Sequence, residues 1–529
     1  MAGFGFGNWR RRRLTVAGIT NPPPPPPPSP PPPPPPHSQA YAFGALSRSS
    51  PGAGIPVAAS AIVSGDAGGH WLLSDNRLYP SPAGDAADLN AGPYLIELDD
   101  GAVLDIAIEP ETWEVADQGE WEFVARQSPS VLAGKTIALR NDETIALGIT
   151  GSFGTPFRRS DLRDGSGNPL TIRGRHGEIG DFENYCEIDR VQFLRGGRGL
   201  TFEHLKTIAS ADPKFTLVAE NANNHTDDIV INDCWIRGQE ADPNGDFSSS
   251  SAYPNLNRDL IATTGSAAGH TGNITVTNCR IEWGDSLINI KVDRPGSQSI
   301  ISDNQLAYFY GDALAVTIAP NDPRPVRISD NFIHSSVGLA TDSANPHVDA
   351  IRLQGSTSAV SDWENILIER NIILQGDARG DMQAIFLDDM KTSSGDSGFQ
   401  FSATIRHNLV AIDFSVHGIT VIQAKDCLVE NNTVISFDRG STNDPSIFLA
   451  SSGLQTATSG DGNVIRNCIA DNIGDSVETL STTNNFEAGL NGSTIDYLTL
   501  FDGPTFAPTT QEEAKTLLNP KVPAGAMIP

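Results

Sequence analysis

Eight short segments spread along the chain share one pattern, and a repeat of this kind constrains the fold more than any other feature of the sequence. They are IVINDCWI (229–236), ITVTNCRI (274–281), SIISDNQL (299–306), VRISDNFI (326–333), ILIERNII (366–373), ATIRHNLV (403–410), CLVENNTV (427–434) and NVIRNCIA (463–470). Each broadly alternates apolar and polar residues, reaches an Asn or Cys, and in most cases resumes two residues later with an aliphatic side chain. Alignment puts Cys234, Cys279, Asn304, Asn331, Asn371, Asn408, Asn432 and Cys468 in one column. The shortest spacings in it are 24, 25 and 27 residues, and the 40 residues from Asn331 to Asn371 read as the same unit with an inserted loop. A unit this short, made only of strands and turns, predicts one coil of a parallel β-helix. The Asn column has a physical role in such a coil. A stacked Asn at a tight turn tolerates the left-handed conformation and hydrogen-bonds backbone from coil to coil. Leucine-rich repeats are excluded, because no helical period separates the strands.

Two further segments extend the pattern upstream, AGKTIALR (133–140) and NPLTIRGRHG (168–177). With them the sequence resembles the pectate-lyase-like superfamily of right-handed β-helix proteins over roughly residues 130–490. The first segment looks like the opening coil of such proteins and the second like the next. The resemblance implies an all-β fold, a right-handed single-stranded parallel β-helix. It does not imply one activity, since the superfamily includes lyases, glycoside hydrolases, epimerases, tailspikes and adhesins.

A second strand in each coil supplies a second column. GDSLINIKV (284–292), GDALAVTIA (311–319), VDAIRLQG (348–355), MQAIFLDD (382–389) and VHGITVIQ (416–423) align Asp285, Asp312, Asp349, Gln383 and His417 just ahead of each strand. Coils stack at about 4.8 Å, so these side chains are expected along one edge of the helix. Stacked carboxylates raise the pKa of at least one member and call for a cation, a metal or a catalytic purpose. Carboxylates about 5–5.5 Å apart suit retaining glycoside hydrolysis, and two coils apart, about 9.6 Å, they fall at the long edge of the inverting range. We therefore take Asp312 and Asp349 as the acid/base or nucleophile pair, with Asp285, Asp388 and His417 assisting. Arg352 alternates with Ile351 and Leu353 and should face outward with Lys391, where it could neutralise a substrate or pair with Asp349. The competing reading is that Gly-Asp ahead of a strand is a turn signal with no chemistry. Calcium is the one cofactor the acidic column would accommodate. HGI (417–419) loosely resembles the His-Gly segment of polygalacturonase-like hydrolases, but their Asn-Thr-Asp and Arg-Ile-Lys segments are missing. Trp283 and Tyr310 each precede a Gly-Asp and are expected to stack beside the column as sugar-binding faces or as packing beneath a loop.

Composition narrows the partners. The chain carries 64 acidic against 36 basic residues, a net charge of −28. That charge argues against nucleic acid or an anionic membrane surface as the main partner. No stretch approaches the ~18–20 apolar residues needed to span a bilayer. The 5 cysteines are odd in number, far apart and never C-x-x-C, so they read as small buried residues rather than disulfides or a zinc site. Residues 1–21 form a basic segment, which reads as an attachment tag because the apolar run after Arg10–Arg13 is too short for an export signal. Residues 22–36 hold 14 of the 37 prolines. They should form a polyproline II rod about 46 Å long. Residues 43–127, with β-like runs at 93–100 and 120–126, read as a small β-rich domain or cap, and 491–529 as a C-terminal cap or tail.

Phage tailspikes resemble this layout, an N-terminal attachment segment with a long helix behind it. The leading expectation is a polysaccharide depolymerase carried on a virion or tail, homotrimeric, acting on a surface glycan. A secreted bacterial lyase or hydrolase and a non-catalytic adhesin remain open beside it.

Overall fold

The computed structural model describes residues 38–42, short stretches between 55 and 109, most of 112–487 apart from connecting loops, and 510–521 and 524–526. The basic segment, the polyproline tract and Lys391 lie outside the described residues.

Three parallel sheets of 13, 11 and 10 strands build the body. Consecutive strands enter different sheets and every third strand returns to the first. Thus Ser299–Ser302, Gln305–Phe309 and Leu314–Ile318 belong to three sheets, and Val326–Ser329 closes the coil by pairing in register with Ser299–Ser302. Each connection between parallel neighbours is a right-handed crossover. The fold is the right-handed parallel β-helix expected from the repeat. Its interior is a set of aliphatic stacks, because a strand with period-two alternation can send only one face inward. Ile290, Val316, Leu353, Leu387, Val421 and Leu449 form one such stack in the 10-stranded sheet, and all are fully buried.

The Asn column is a hydrogen-bonded ladder. The Oδ1 of Asn331 accepts from the main-chain N–H of Asn304 at 3.1 Å, and the steps Asn331–Asn371, Asn371–Asn408 and Asn408–Asn432 repeat the bond at 3.0–3.1 Å. Each Nδ2 also donates to a carbonyl of the preceding coil, as Asn331 does to Ile301 at 3.0 Å. Cysteine in the same slot keeps the donor half, the thiols of Cys279 and Cys468 reaching the carbonyls of Ile231 and Val429 at 3.6 and 3.7 Å, and Cys468 Sγ accepts a long contact from Asn432 Nδ2 at 3.9 Å. All five cysteines are buried and free.

One detail departs from expectation. The left-handed residue is the one before the ladder position: Asp303, Asp330, Arg370, His407 and Asn431 have φ between 54° and 60°. The ladder Asn is thereby spared, and the turn strain falls on an outward-facing residue. At Arg370, not a natural occupant of that region, a two-bond pair to the equivalent Asp330, 2.7 Å each, ties two turns together.

The N-terminal end of the core is covered. The helix opens at Thr112–Val115, which pairs with Thr136–Leu139, so the first rung begins upstream of residue 130. Between these rungs the run 120–126 is helical rather than extended, in Gln118–Val124. Trp121, Val124 and Ala125 follow i, i+3, i+4 spacing and are buried against the first coils, while Glu120 and Asp117 cap the start. The four-stranded sheet ahead of it takes in Ser38–Ala42, upstream of the expected start at 43. Residues 510–526 lie along the outside of the 11-stranded sheet, from the Phe332 coil at Thr510 to the Asn467 and Thr433 coils at Gly525 and Ala526. Its helix Gln511–Leu517, with Leu518, Ala524 and Ala526, covers Ile372, Leu374, Leu409, Ala411, Ile435 and Ile469.

Candidate functional site

The leading edge of the 10-stranded sheet gathers the acidic side chains, but not in the register the sequence suggests. Ile288 pairs with Leu314 and Leu314 with Ile351. That register sets Asp312 level with Asp349 on one side and with Ser286 on the other. Asp285 is displaced by one residue, opposite Gly311, whose N–H donates to its carbonyl at 3.0 Å. One coil further back Ile261 pairs with Ile288, so the column continues to Asp259. Sequence reading missed Asp259, although Asp259-Leu260-Ile261 repeats the Asp-apolar-Ile signal of Asp349-Ala350-Ile351. In structural order the column runs Asp259, Ser286, Asp312, Asp349, Gln383, with Asp349 and Gln383 directly paired.

The central pair is tightly held. Asp349 is completely buried, and its main-chain N–H donates to Asp312 Oδ1 at 3.3 Å. The Arg352 guanidinium stands 3.8 Å from both carboxylates, Nη1 to Asp312 and Nε to Asp349. Arg352 alternates with buried Ile351 and Leu353, as expected for an outward residue. Gln354, two residues on and on the same face, lies against the guanidinium; turned to present its oxygen, its amide accepts from Arg352 Nη2 at 2.6 Å. Of the two partners open to Arg352, it takes Asp349, and Asp312 with it.

Burial dominates the electrostatics. It pushes the Asp312 carboxyl up to about 6, against the pull of Arg352. Burial also raises Asp285 to about 7, with the charges of Asp259 and Asp312 adding to it. Asp259 is raised by burial as well, offset in part by bonds from Ser286 and Asn289. Asp285 and Asp312 thus bind a proton near neutrality, the property a general acid needs. Among the described residues no three His, Cys, Asp or Glu side chains converge to hold a metal ion.

His417, Trp283 and Tyr310 fall outside this cluster. His417 lies level with Gln383, two coils beyond Asp349, with Nδ1 3.0 Å from the Thr420 hydroxyl and its ring edge-on to Phe386 at 5.3 Å. Asp388 pairs through its backbone with Gln354. Trp283 and Tyr310 do not stack on each other. Gly284 pairs with Phe309, which sets Trp283 level with Tyr308, and those two rings stack at 4.4 Å and 9°. Tyr310 is buried behind them, its N–H bonded to the Gly284 carbonyl. Both Trp283 and Tyr308 have positive φ, 66° and 58°, which turns them at the corner that leads to Asp285.

The fold and the edge cluster together define a right-handed parallel β-helix with a half-buried acid–arginine group at the entry to one sheet. No protein-family profile matches the sequence, and no curated protein matches it. Among solved structures, the chain is similar to PfbA, a surface adhesin of Streptococcus pneumoniae, at 11% identity and a TM-score of 0.35, covering 72% of this chain and 83% of that one. It is also similar to a Yersinia enterocolitica family 28 exopolygalacturonase at 10% identity and a TM-score of 0.25, covering 76% and 84%. No helix among the described residues is long and apolar enough to cross a membrane.

Proposed function

We propose that the protein is a carbohydrate-active β-helix protein that hydrolyses a polysaccharide at the Asp312–Asp349–Arg352 cluster. The observation that carries this reading is the meeting of two carboxylates from successive coils at one arginine, beside further acids that hold protons near neutrality. Hydrolysis of a glycosidic bond needs one carboxyl to protonate the leaving oxygen and another to act as nucleophile or to activate water. Asp285 and Asp312, both partly exposed, supply these two roles, and Asp349, completely buried, holds Arg352 and Asp312 in place beside them. Arg352 is a positioning residue that holds the pair, so it is not at hand for a substrate carboxylate. That favours hydrolysis over elimination, which would have to stabilise charge on a uronate.

A glycan-binding adhesin without turnover is the second reading, favoured by the same arginine, because a paired Asp–Arg–Asp group is also a stable structural motif. In its finer form the enzymatic reading is a tailspike-type depolymerase, trimeric and attached through residues 1–36. Light scattering of the full chain tests the trimer. Release of reducing ends from a panel of polysaccharides tests the enzyme: hydrolytic products support it, and their absence with retained glycan binding favours the adhesin.

A further inference from the structure

A further cavity lies on the outer face of the 11-stranded sheet, one strand ahead of the acid cluster in the order of each coil. The outer face of the 11-stranded sheet changes character at Phe332. From Ile372 onward the outward column, Ile372, Leu409, Thr433 and Ile469, is mostly apolar and covered by residues 510–526, and the two positions just before Phe332, Gln305 and Arg280, are polar. Where the cover ends, a step is left on an otherwise flat sheet. That step is a cavity of about 620 Å³, with Gln305, Phe332 and His334 as its floor, Asp303 and Asp330 on one wall, and Thr510, Gln511 and Glu512 on the other.

The lining is that of a sugar site. Phe332 and His334 stack at 4.5 Å and 26°, and His334 meets the Tyr308 ring edge-on at 6.1 Å. Tyr308 in turn stacks on Trp283, so a strip of rings leads out of the cavity. Phe332 and His334 are only partly buried, which leaves ring surface for the C–H face of a pyranose. Around them stand hydroxyl, amide and carboxylate groups, of which Asp303, Gln305, Thr510 and Glu512 are exposed and able to bond sugar hydroxyls. The lining carries three carboxylates and neither lysine nor arginine; Asp330 is neutralised by Arg370 behind it, so Asp303 and Glu512 give the cavity its negative charge, on a chain of net charge −28. A uronate or sulfated sugar would be repelled there.

We infer that this step is a glycan-binding site for an uncharged oligosaccharide, separate from the acid cluster and independent of whether that cluster is catalytic. The test is calorimetric titration of the full chain with maltohexaose, cellohexaose, mannohexaose and hexagalacturonate. At least one neutral hexasaccharide should bind and hexagalacturonate should not. Phe332→Ala should weaken the neutral ligand at least about tenfold. Because Phe332 also touches the covering segment, the exposed pair Asp303→Ala/Glu512→Ala provides a second variant, expected to lose about fivefold. The inference is overturned if no neutral probe binds. It is overturned equally if both groove variants bind as the parent does.

Discussion

At Asn371 five hydrogen bonds converge: its Oδ1 accepts from the Asn331 N–H and side chain, and its Nδ2 donates to the Ile328 and Glu369 carbonyls and to Asn408. Asn371→Ala removes all of them in a site with no access to water. Each buried group left unpaired costs about 1–3 kcal/mol, so a loss of several kcal/mol is expected in urea denaturation. Asn371→Cys should cost less, because Cys279 and Cys468 show that a thiol keeps the donor half of the ladder. Equal losses for both variants would mean that the acceptor half alone matters. The ladder was legible in the sequence because one residue type recurs in one slot, and a buried amide is the side chain that both gives and takes a hydrogen bond. The left-handed position beside it was not legible, since Asp, Arg, His and Asn all occupy it.

The same contrast holds at the level of the element. Strands that fill the interior were readable from their alternation, but the turn before each one was not, because turns admit insertions that shift register by a residue. Asp285 illustrates this: Gly-Asp recurs at 284 and 311, yet Ile288 rather than Leu287 pairs with Leu314, and the shift replaces Asp285 by Ser286 in the column. Asp259 entered the column unseen because its strand, Ile261–Gly265, carries too few aliphatics to mark it. Length also misled at 120–126, where a seven-residue run of four apolar and three charged residues suits a strand or a short helix alike. The C-terminal segment is an element whose role follows from what it covers. Removing residues 510–529 would bare a row of six aliphatic side chains on a sheet face. Self-association in light scattering and a lowered Tm are expected; a monodisperse truncated chain with unchanged Tm would show that the cover is dispensable.

Across the whole molecule the acid cluster links stability to pH. Asp285 and Asp312 have carboxyls raised to about 7 and about 6 in the folded state, against an ordinary value of 3.8. A raised folded pKa means the native state holds protons that the unfolded chain releases. The stability they confer is fully present below about pH 4 and is lost as pH rises through 6 to 7. Each group should contribute a slope approaching about 1.4 kcal/mol per pH unit within its window. Asp285→Asn should therefore flatten the decline between pH 5 and 7, as followed by thermal unfolding. A parent protein whose stability rises across that range would show that the carboxyls are ionised in the fold.

The cluster's chemistry is tested most directly by the turnover of Asp349→Asn and Asp312→Asn on whichever polysaccharide the parent cleaves. Both changes keep side-chain shape: Asp312→Asn removes a proton-transfer group, and Asp349→Asn removes the buried charge that holds Arg352 beside it. Initial rates of reducing-end release should fall by about 10²–10⁴ in each, with cooperative unfolding preserved and no unsaturated sugar among the parent's products. Near-parental rates in both variants would contradict the account, because the acid–arginine cluster would then be structural and the bond would be broken elsewhere.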